Sequence, residues 1–257
     1  MDITIVKVGG AVVEDPAQLA TLLEGFKKIE GAKILVHGGG RRATKVAAAL
    51  GIESKMVGGR RITDADMLEV VTMVYGGLVN KNIVAQLQAI GVDAIGLTGA
   101  DMNVIRSHRR PIKDGIDFGF VGDVDTVDAA RLHTLIDAQL TPVLAPLTFD
   151  GAGTMLNTNA DTIASETARA LAKADNVTLV YCFEKPGVLA NPDDDNSVIP
   201  TITRSLFQRL TADGTISGGM LPKIENALAA VEAGVKKVLI TKADCLGCNN
   251  SGTTISL

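Results

Sequence analysis

The chain has 257 residues, of which 46% are hydrophobic and 21% charged, and its formal net charge at pH 7 is −4. This is the composition of a globular protein with a substantial core, so a wholly disordered chain is excluded. The acidic balance gives no support for nucleic-acid binding, which shows as a basic excess. No apolar run reaches the roughly 18 residues that a membrane-spanning helix needs, so no membrane partner is expected.

Short β-branched runs alternate with amphipathic stretches along the whole chain. Strands are predicted at 3–8, 33–37, 93–97, 142–146, 177–181 and 237–240, and helices at 16–30, 41–50, 64–90, 127–139, 161–174, 204–210 and 221–233. Several strands are continuous apolar runs, as expected when both faces of a sheet are covered. The pattern therefore predicts an α/β fold, a three-layer α/β/α sandwich around a mainly parallel open sheet.

Turn residues interrupt this alternation at three places. Extra hairpins are predicted around residues 55–62, 118–124 and 150–156. Thr63, with Asp66 three residues later, resembles a capping box that opens the longest helix.

The N-terminus and the cysteines favour a cytoplasmic protein. The first eight residues lack the basic start and long apolar stretch of a signal peptide. Three cysteines, an odd number, argue against a disulfide framework and fit a reducing compartment. Cys245 and Cys248 have C-x-x-C spacing, but without a second pair of ligands we interpret them as incidental thiols.

Glycines cluster where the first two strands are predicted to end. Gly9 and Gly10 follow the first strand, and Gly38, Gly39 and Gly40 connect the second strand to a helix. Glycine lets backbone N–H groups approach an anion closely, and a helix N-terminus adds a positive dipole end. Either turn alone is explained equally well as a tight connection. Together, at the carboxyl edge of a parallel sheet, they indicate an oxyanion or phosphate site.

Two further helix starts carry more polar residues than capping requires. Asn157, Asn159 and Asp161 stand at alternate positions, although one polar residue suffices for a cap. Lys223 lies in the first turn of another helix, where the dipole disfavours a cation, so we expect an anion nearby. The P-loop, Rossmann and protein-kinase motifs are absent from the sequence.

These residues belong to a motif series that resembles the acetylglutamate kinases of the amino-acid kinase family. The matching segments are Lys7-Val8-Gly9-Gly10, Val36-His37-Gly38-Gly39-Gly40, Gly59-Arg60-Arg61-Ile62-Thr63, Asn157-Thr158-Asn159-Ala160-Asp161 and Gly219-Met220-x-x-Lys223. They occur in register from residue 3 to about residue 235. Aspartokinases and glutamate 5-kinases fit less well around the first glycines.

The resemblance implies an amino-acid kinase fold and ATP-dependent phosphorylation of the side-chain carboxylate of N-acetyl-L-glutamate in arginine biosynthesis, with Mg²⁺ accompanying ATP. Residues 1–175 would form a lobe that binds the acylglutamate and dimerises, and residues 176–257 a lobe that binds ATP. A homodimer through the helix at 64–80 is expected. Because the first strand begins almost at residue 1, we expect neither arginine inhibition nor the hexamer that accompanies it.

The same resemblance assigns roles to individual residues. Lys7 and Lys223 would bracket the transferring phosphoryl group, and Asp161 would keep the two ammonium groups in place. The substrate-binding residues would be Gly39, Gly40, Arg61 and Asn157. The nucleotide-binding residues would be Gly9, Gly10, Glu184, Gly187, Val188, Ser217 and Gly219.

Two departures from the family pattern leave alternatives open. Glu184 stands where relatives carry Asp, and the neighbouring Lys185-Pro186 is unusual, but Gly187 and Val188 keep register, so nucleotide binding is still expected there. Arg60 stands where relatives commonly carry an apolar residue. It is either a solvent-facing arginine or a second cation for the larger acyl group of N-succinyl-L-glutamate. A carbamate- or uridylate-type kinase and a non-catalytic sensor of the same fold are the remaining alternatives.

Overall fold

The computed structural model describes residues 1–218, 220–247 and 252–257. Gly219 and Cys248, on which two of the sequence interpretations rest, lie outside that part of the chain.

The strands are β1 (Asp2–Val8), β2 (Ala32–His37), β3 (Met56–Val57), β4 (Arg60–Arg61), β5 (Ala94–Leu97), β6 (Ile105–Arg109), β7 (Gly122–Val127), β8 (Thr141–Leu144), β9 (Leu147–Phe149), β10 (Met155–Asn157), β11 (Asn176–Phe183), β12 (Thr201–Ile202), β13 (Lys237–Lys242) and β14 (Thr253–Ile255). The helices are α1 (Gly10–Glu14), α2 (Pro16–Lys27), α3 (Gly40–Ala49), α4 (Ala65–Val71), α5 (Asn80–Ala89), α6 (Ala129–Asp137), α7 (Ala160–Leu171), α8 (Arg204–Ala212) and α9 (Met220–Glu232). A π-helical segment, Thr72–Val79, joins α4 to α5, and short 3₁₀ turns occur at Asp101–Asn103 and Ala243–Cys245.

Across the described residues, the main sheet has eight strands in the order β12-β14-β13-β11-β1-β2-β8-β5. The strands from β13 to β5 pair in parallel, whereas β14 runs antiparallel to β13 and carries the edge strand β12. The sheet is continuous through both predicted lobes, because β11 pairs with β1. A smaller sheet, β10-β9-β6-β7, and the β3–β4 hairpin lie beside it.

Helices cover both faces of the main sheet, which confirms the predicted three-layer sandwich. Alternate side chains of a strand point to opposite faces, so Ile3 and Ile5 of β1 join one core cluster while Val6 and Val8 join the other. The first face is packed against α6, α7, α8 and α9, and the second against α2, α3, α4 and α5. The core consists chiefly of Val, Ile, Leu and Ala.

The hairpin predictions are confirmed at two of the three places. β3 and β4 pair antiparallel, and β9 and β10 flank the turn at 150–154. The segment 118–124 instead enters β7, whose partner is the unpredicted strand β6. No helix within the described residues combines the length and apolar character needed to cross a membrane.

The predicted capping box at Thr63 is wrong by one residue. The side chain of Asp64 caps α4, accepting from the backbone N–H of Met67 at 2.9 Å. Thr63 is still extended, because its backbone exchanges hydrogen bonds with Phe118 and Phe120. The helix therefore starts only after Thr63 has left that pairing.

Candidate active site

The glycine turns after β1 and β2 lie side by side at the carboxyl edge of the main sheet. The strands are in register up to Val8 and His37, and the Gly38 N–H donates to the Val8 carbonyl at 3.1 Å. A Cβ on Gly10 would lie 3.7 Å from the nitrogen of Gly39 and 3.9 Å from that of Gly40. The two amides therefore border the small space beside the Gly10 Cα, a suitable place for an anion oxygen.

Gly39 has no room for a side chain. A Cβ there would meet the ring of Tyr75 at 2.8 Å, which is closer than real Cβ contacts. Tyr75 belongs to the π-helical segment, an uncommon form that is frequent at functional sites. Glycine at this position therefore allows the π-helical segment to pack directly against the turn.

Lys7 and Asp161 form an ion pair beside these turns. Lys7 lies on the same face of β1 as Ile3 and Ile5, the face covered by α7, because side chains alternate along the strand. Its Nζ is 2.6 Å from Oδ1 of Asp161. Lys7 is only 7% exposed, so this ion pair provides the counter-charge that a buried ammonium requires.

The three polar residues at the start of α7 have three different roles. Asn159 is the cap, since its side chain accepts from the backbone N–H groups of Asp161 and Thr162. Asn157, at the end of β10, donates from Nδ2 to Oγ1 of Thr63 at 2.9 Å. Asp161 pairs with Lys7. The excess of polar residues over the needs of capping therefore has a structural explanation.

Lys223, the fourth residue of α9, reaches the same place from a different helix. Its Nζ lies 4.0 Å from the ring centroid of Phe183, and the Lys7 Nζ lies 5.0 Å from that centroid. Phe183 thus contacts both ammonium groups through cation–π interactions. Burial lowers the pKa of Lys223 and nearby Lys7 lowers it further, while Asp161 and Glu184 oppose the shift.

Arg61 is a buried cation whose hydrogen bonds go to neutral groups. Its guanidinium donates to Oγ of Ser54, to the Gly40 carbonyl and to Oγ1 of Thr44 at 2.8 to 2.9 Å. Within the residues that the structure describes, no ion pair joins Arg61 to a carboxylate. An 8% exposed positive charge with only neutral partners favours an anion at its remaining open side.

Arg60 is exposed, unlike its neighbour Arg61. Successive side chains on a strand point in opposite directions, so the two arginines of β4 diverge. Arg60 helps to lower the pKa of Asp123, although the hydrogen bond from Arg110 is the main cause of that shift. Its surroundings agree with the solvent-facing interpretation.

The residues predicted to bind the nucleotide differ in how accessible they are to a ligand. Val188 is 1% exposed, and its backbone N–H already donates to Oγ1 of Thr253 at 2.8 Å. A Cβ on Gly187 would meet that same oxygen at 2.8 Å, so Gly187 permits close packing of the turn against β14. Glu184 and Ser217 are exposed, and Gly9 donates its N–H to the Cys182 carbonyl at 3.1 Å.

Aromatic residues beside the site escaped the sequence analysis. Phe183 contacts both lysines, and the ring of Tyr181 stacks on it at 6.1 Å between centroids. These two rings, with Asp161, Lys223 and Asn226, line a small cavity. The chain has only two tyrosines, and both, Tyr75 and Tyr181, lie at this site. The rarity of tyrosine in the chain was a signal that could have identified Tyr75 and Tyr181.

Comparison with known proteins agrees with this geometry. Residues 2–242 match the amino acid kinase family. Acetylglutamate kinases from Bacteroides thetaiotaomicron and Phocaeicola vulgatus are each 64% identical over 253 residues, covering 98% of this chain and 98% of the relative. The crystal structure of smu.665 from Streptococcus mutans UA159 is 29% identical, with a TM-score of 0.80 over 99% of this chain and 98% of that chain.

The chain therefore belongs to the amino acid kinase family, and in this chain a cationic, glycine-lined site lies at the carboxyl edge of the sheet. Within that family, the relatives at this level of identity are acetylglutamate kinases.

Gly10→Ala tests whether the space beside Gly10 holds a reacting anion. The new methyl group would make ordinary van der Waals contacts at 3.7 and 3.9 Å, so the thermal unfolding midpoint should stay within a few degrees of the wild type. It would nevertheless block the amides of Gly39 and Gly40, and kcat/KM for ATP-dependent turnover should fall on the order of 100-fold. Full activity in a stable variant would contradict this use of the space.

The pH dependence of turnover should report on Lys223. A lysine with a lowered pKa loses its proton at lower pH than an ordinary lysine, so activity that needs the ammonium should decline as pH rises through that lowered pKa. In Lys223→Arg the charge persists to far higher pH, so the alkaline decline of kcat/KM should move upward. An alkaline decline that is identical in both proteins would assign it to another group.

Proposed function

We propose that the protein transfers the γ-phosphoryl group of ATP to the side-chain carboxylate of N-acetyl-L-glutamate, giving N-acetylglutamyl 5-phosphate in arginine biosynthesis. The observation that carries the proposal is the arrangement of Lys7, Asp161 and Lys223 beside the glycine turns. The acetylglutamate kinases that align with nearly the whole chain support the choice of substrate.

The reaction needs no base from the protein. A carboxylate oxygen of the substrate forms a bond to the γ-phosphorus while the bond from that phosphorus to the β,γ-bridging oxygen breaks, and ADP leaves with the electron pair. The attacking carboxylate is already ionised near neutral pH. Catalysis therefore depends on in-line positioning and on stabilisation of the charge that spreads over the transferring group.

The two lysines supply that stabilisation. Lys7 reaches the site from β1 and Lys223 from α9, so the ammonium groups approach a shared place from opposite lobes. Asp161 forms an ion pair with Lys7 at 2.6 Å and acts favourably on the charged form of Lys223. Because Asp161 pairs with Lys7 and favours the charged form of Lys223, we assign it the task of holding these cations rather than a role in proton transfer.

Backbone and arginine groups would hold the acylglutamate. The amides of Gly39 and Gly40 would donate to its oxygens from the start of α3. Arg61, with no carboxylate partner within the described chain, would pair with a substrate carboxylate through its two-pronged guanidinium. Asn157 would contact the substrate from the end of β10, on the same side as Thr63.

Magnesium would accompany ATP as part of the co-substrate. No group of three or more His, Cys, Asp or Glu side chains that could hold a metal ion occurs among the described residues. We expect the ion to be held by phosphate oxygens and water more than by the protein.

We further propose that residues 1–175 bind the acylglutamate and residues 176–257 bind ATP, with Gly9 and Gly10 contributing from the first lobe. The position of α9 supports this division, since its N-terminal end carries Lys223 toward the site and a helix N-terminus favours phosphate. Ser217, Gly219, Glu184, Gly187 and Val188 remain the expected nucleotide contacts.

The proposal also includes a cytoplasmic homodimer formed through the helix at 64–80. Met73 and Leu78 in this segment are 53% and 40% exposed, which supports an apolar contact there. Sedimentation equilibrium would give twice the 26.8 kDa chain mass for the wild type, and the monomer mass for the double variant Met73→Lys, Leu78→Lys. A wild-type protein that is monomeric at micromolar concentration would exclude this interface.

Release of ADP tests the activity directly. With Mg²⁺ and ATP present, the protein should release ADP only when N-acetyl-L-glutamate is added. Lys223→Ala should lower kcat by at least about 100-fold, because it removes one of two charges on the transferring group. The matched variant Lys173→Ala, at an exposed lysine outside the site, should behave as the wild type. A wild-type protein without acylglutamate-dependent ADP release would be the non-catalytic sensor.

The same assay separates the acyl groups. Since Arg60 is exposed and points away from Arg61, N-acetyl-L-glutamate should be turned over at least as fast as N-succinyl-L-glutamate. Arg60→Gln should leave both rates within about twofold of the wild type, as is usual for exposed charges. A clear preference for the succinyl substrate that Arg60→Gln abolishes would restore the succinyl alternative.

A further inference from the structure

His37 is a buried titratable residue that the proposed reaction does not use. It is the last residue of β2 and directly precedes the glycine turn. Its side chain is 0% exposed and points to the second face of the sheet, away from Lys7. Burial is the main cause that lowers its pKa to about 4, so the ring is neutral at physiological pH. A neutral imidazole has one donor nitrogen and one acceptor nitrogen, and its neighbours decide which is which.

The amide of Asn80 decides the protonation of the ring. Lys81 can only donate, and its Nζ lies 3.2 Å from Oδ1 of Asn80, so that oxygen faces Lys81. Nδ2 of Asn80 therefore faces the other way, donating to the Val143 carbonyl at 2.9 Å and lying 3.2 Å from Nε2 of His37. Because the amide nitrogen is a donor, Nε2 must accept, and the ring proton resides on Nδ1.

Nδ1–H in turn fixes one peptide plane of the glycine turn. It lies 2.8 Å from the Gly38 carbonyl oxygen, which accepts its proton. The Gly38 carbonyl and the Gly39 N–H belong to one trans peptide unit, so they point in opposite directions. A carbonyl held toward His37 thus aims the Gly39 N–H away from the ring. That nitrogen is the one 3.7 Å from the Cβ position of Gly10.

We propose that His37 is a positioning residue which, held in one tautomer by Asn80, aims the backbone N–H of Gly39 at the anionic group bound between Gly10 and Gly39. The sequence of the turn explains why this hydrogen bond is needed, because consecutive glycines allow a peptide plane to rotate at little steric cost. The identity of the anion as acylglutamate or its phosphoryl group rests on the proposed function. The orientation of the Gly39 amide is independent of the proposed function.

A pair of isosteric variants separates the two hydrogen bonds of the ring. In His37→Asn, the side-chain amide can take the place of Nδ1 and still donate to the Gly38 carbonyl. In His37→Gln, the longer side chain can take the place of Nε2 and accept from Asn80, but it cannot also donate to Gly38. Each variant loses one buried hydrogen bond, so their unfolding midpoints should fall by similar amounts.

Kinetics should nevertheless distinguish them. We expect kcat/KM for N-acetyl-L-glutamate to be at least about tenfold lower in His37→Gln than in His37→Asn, because only the asparagine keeps the peptide plane in place. His108→Gln, the same change at an exposed histidine, is the control for the substitution itself. Values of kcat/KM within twofold of each other in the two His37 variants would overturn the proposal.

Nuclear magnetic resonance tests the tautomer of His37 and the orientation of the Gly39 amide without any substrate. In ¹⁵N-labelled wild-type protein at neutral pH, the His37 ring should show a protonated Nδ1 and an unprotonated Nε2. The opposite tautomer would overturn the proposal.

A phosphate titration followed by the same method tests the Gly39 amide. Inorganic phosphate should shift the Gly39 amide resonance in the wild type and in His37→Asn, and shift it less in His37→Gln. Equal shifts in all three proteins would refute the role of His37. An inactive wild-type enzyme with the expected spectra would refute only the proposed function.

Discussion

The ion pair between Lys7 and Asp161 is the interaction on which the site depends. An ammonium at the buried carboxyl end of a central strand would cost several kcal/mol without a counter-charge. Asp161 supplies that charge from the first turn of α7, where the helix dipole also favours a carboxylate. The pair therefore fixes the position of α7 against β1. Strand β10 ends just before α7 and carries Asn157 toward Thr63, so the placement of a second site residue follows from the first.

Charge at the site is unbalanced in a way that favours anionic ligands. Lys7, Lys223 and Arg61 bring three positive charges, whereas Asp161, which is partly buried, contributes one negative charge beside Lys7. The chain as a whole carries −4, so this local excess is set by the fold and not by the composition. Phe183 lowers the cost of holding two ammonium groups close together, because its ring face attracts both. Ligands with several negative charges would relieve the remaining repulsion.

Sequence patterns predicted the parts of this arrangement that local rules govern. The alternation of strands and helices predicted the sandwich, and Lys223 was conspicuous because a cation at the start of a helix opposes the dipole. The role of Lys7 followed only from the family resemblance, since any strand end can carry a lysine. The cap of α4 was misassigned because Thr63 and Asp64 both have suitable side chains. The choice between them depended on the pairing of Thr63 with a segment more than fifty residues away in the chain.

Local sequence rules could not predict the contacts between segments that are distant in the chain. Nothing in the local sequence connects Phe183 to both lysines, because the contact arises from the register that places Lys7 beside Tyr181 on neighbouring strands. Likewise, His37 meets Asn80 only after β2 and α5 have packed on the second face of the sheet. Patterns of hydrophobicity show that a residue is buried in a given face, but not which polar group from another segment will meet it there.

Alternation along the strands gives the two faces of the sheet different tasks. Lys7 and Phe183 point to the first face, where α7 and α9 bring Asp161 and Lys223 to them. His37 points to the second face, where it meets no reacting group and can act only on the backbone. The glycine turns lie at the sheet edge where the two faces meet. Their N–H groups can therefore bind an anion beside the lysines of the first face, while a side chain of the second face fixes their orientation. A turn built from glycine can approach an anion closely but has little intrinsic rigidity. The hydrogen bond from His37 on the second face restores that rigidity without placing a side chain in the site.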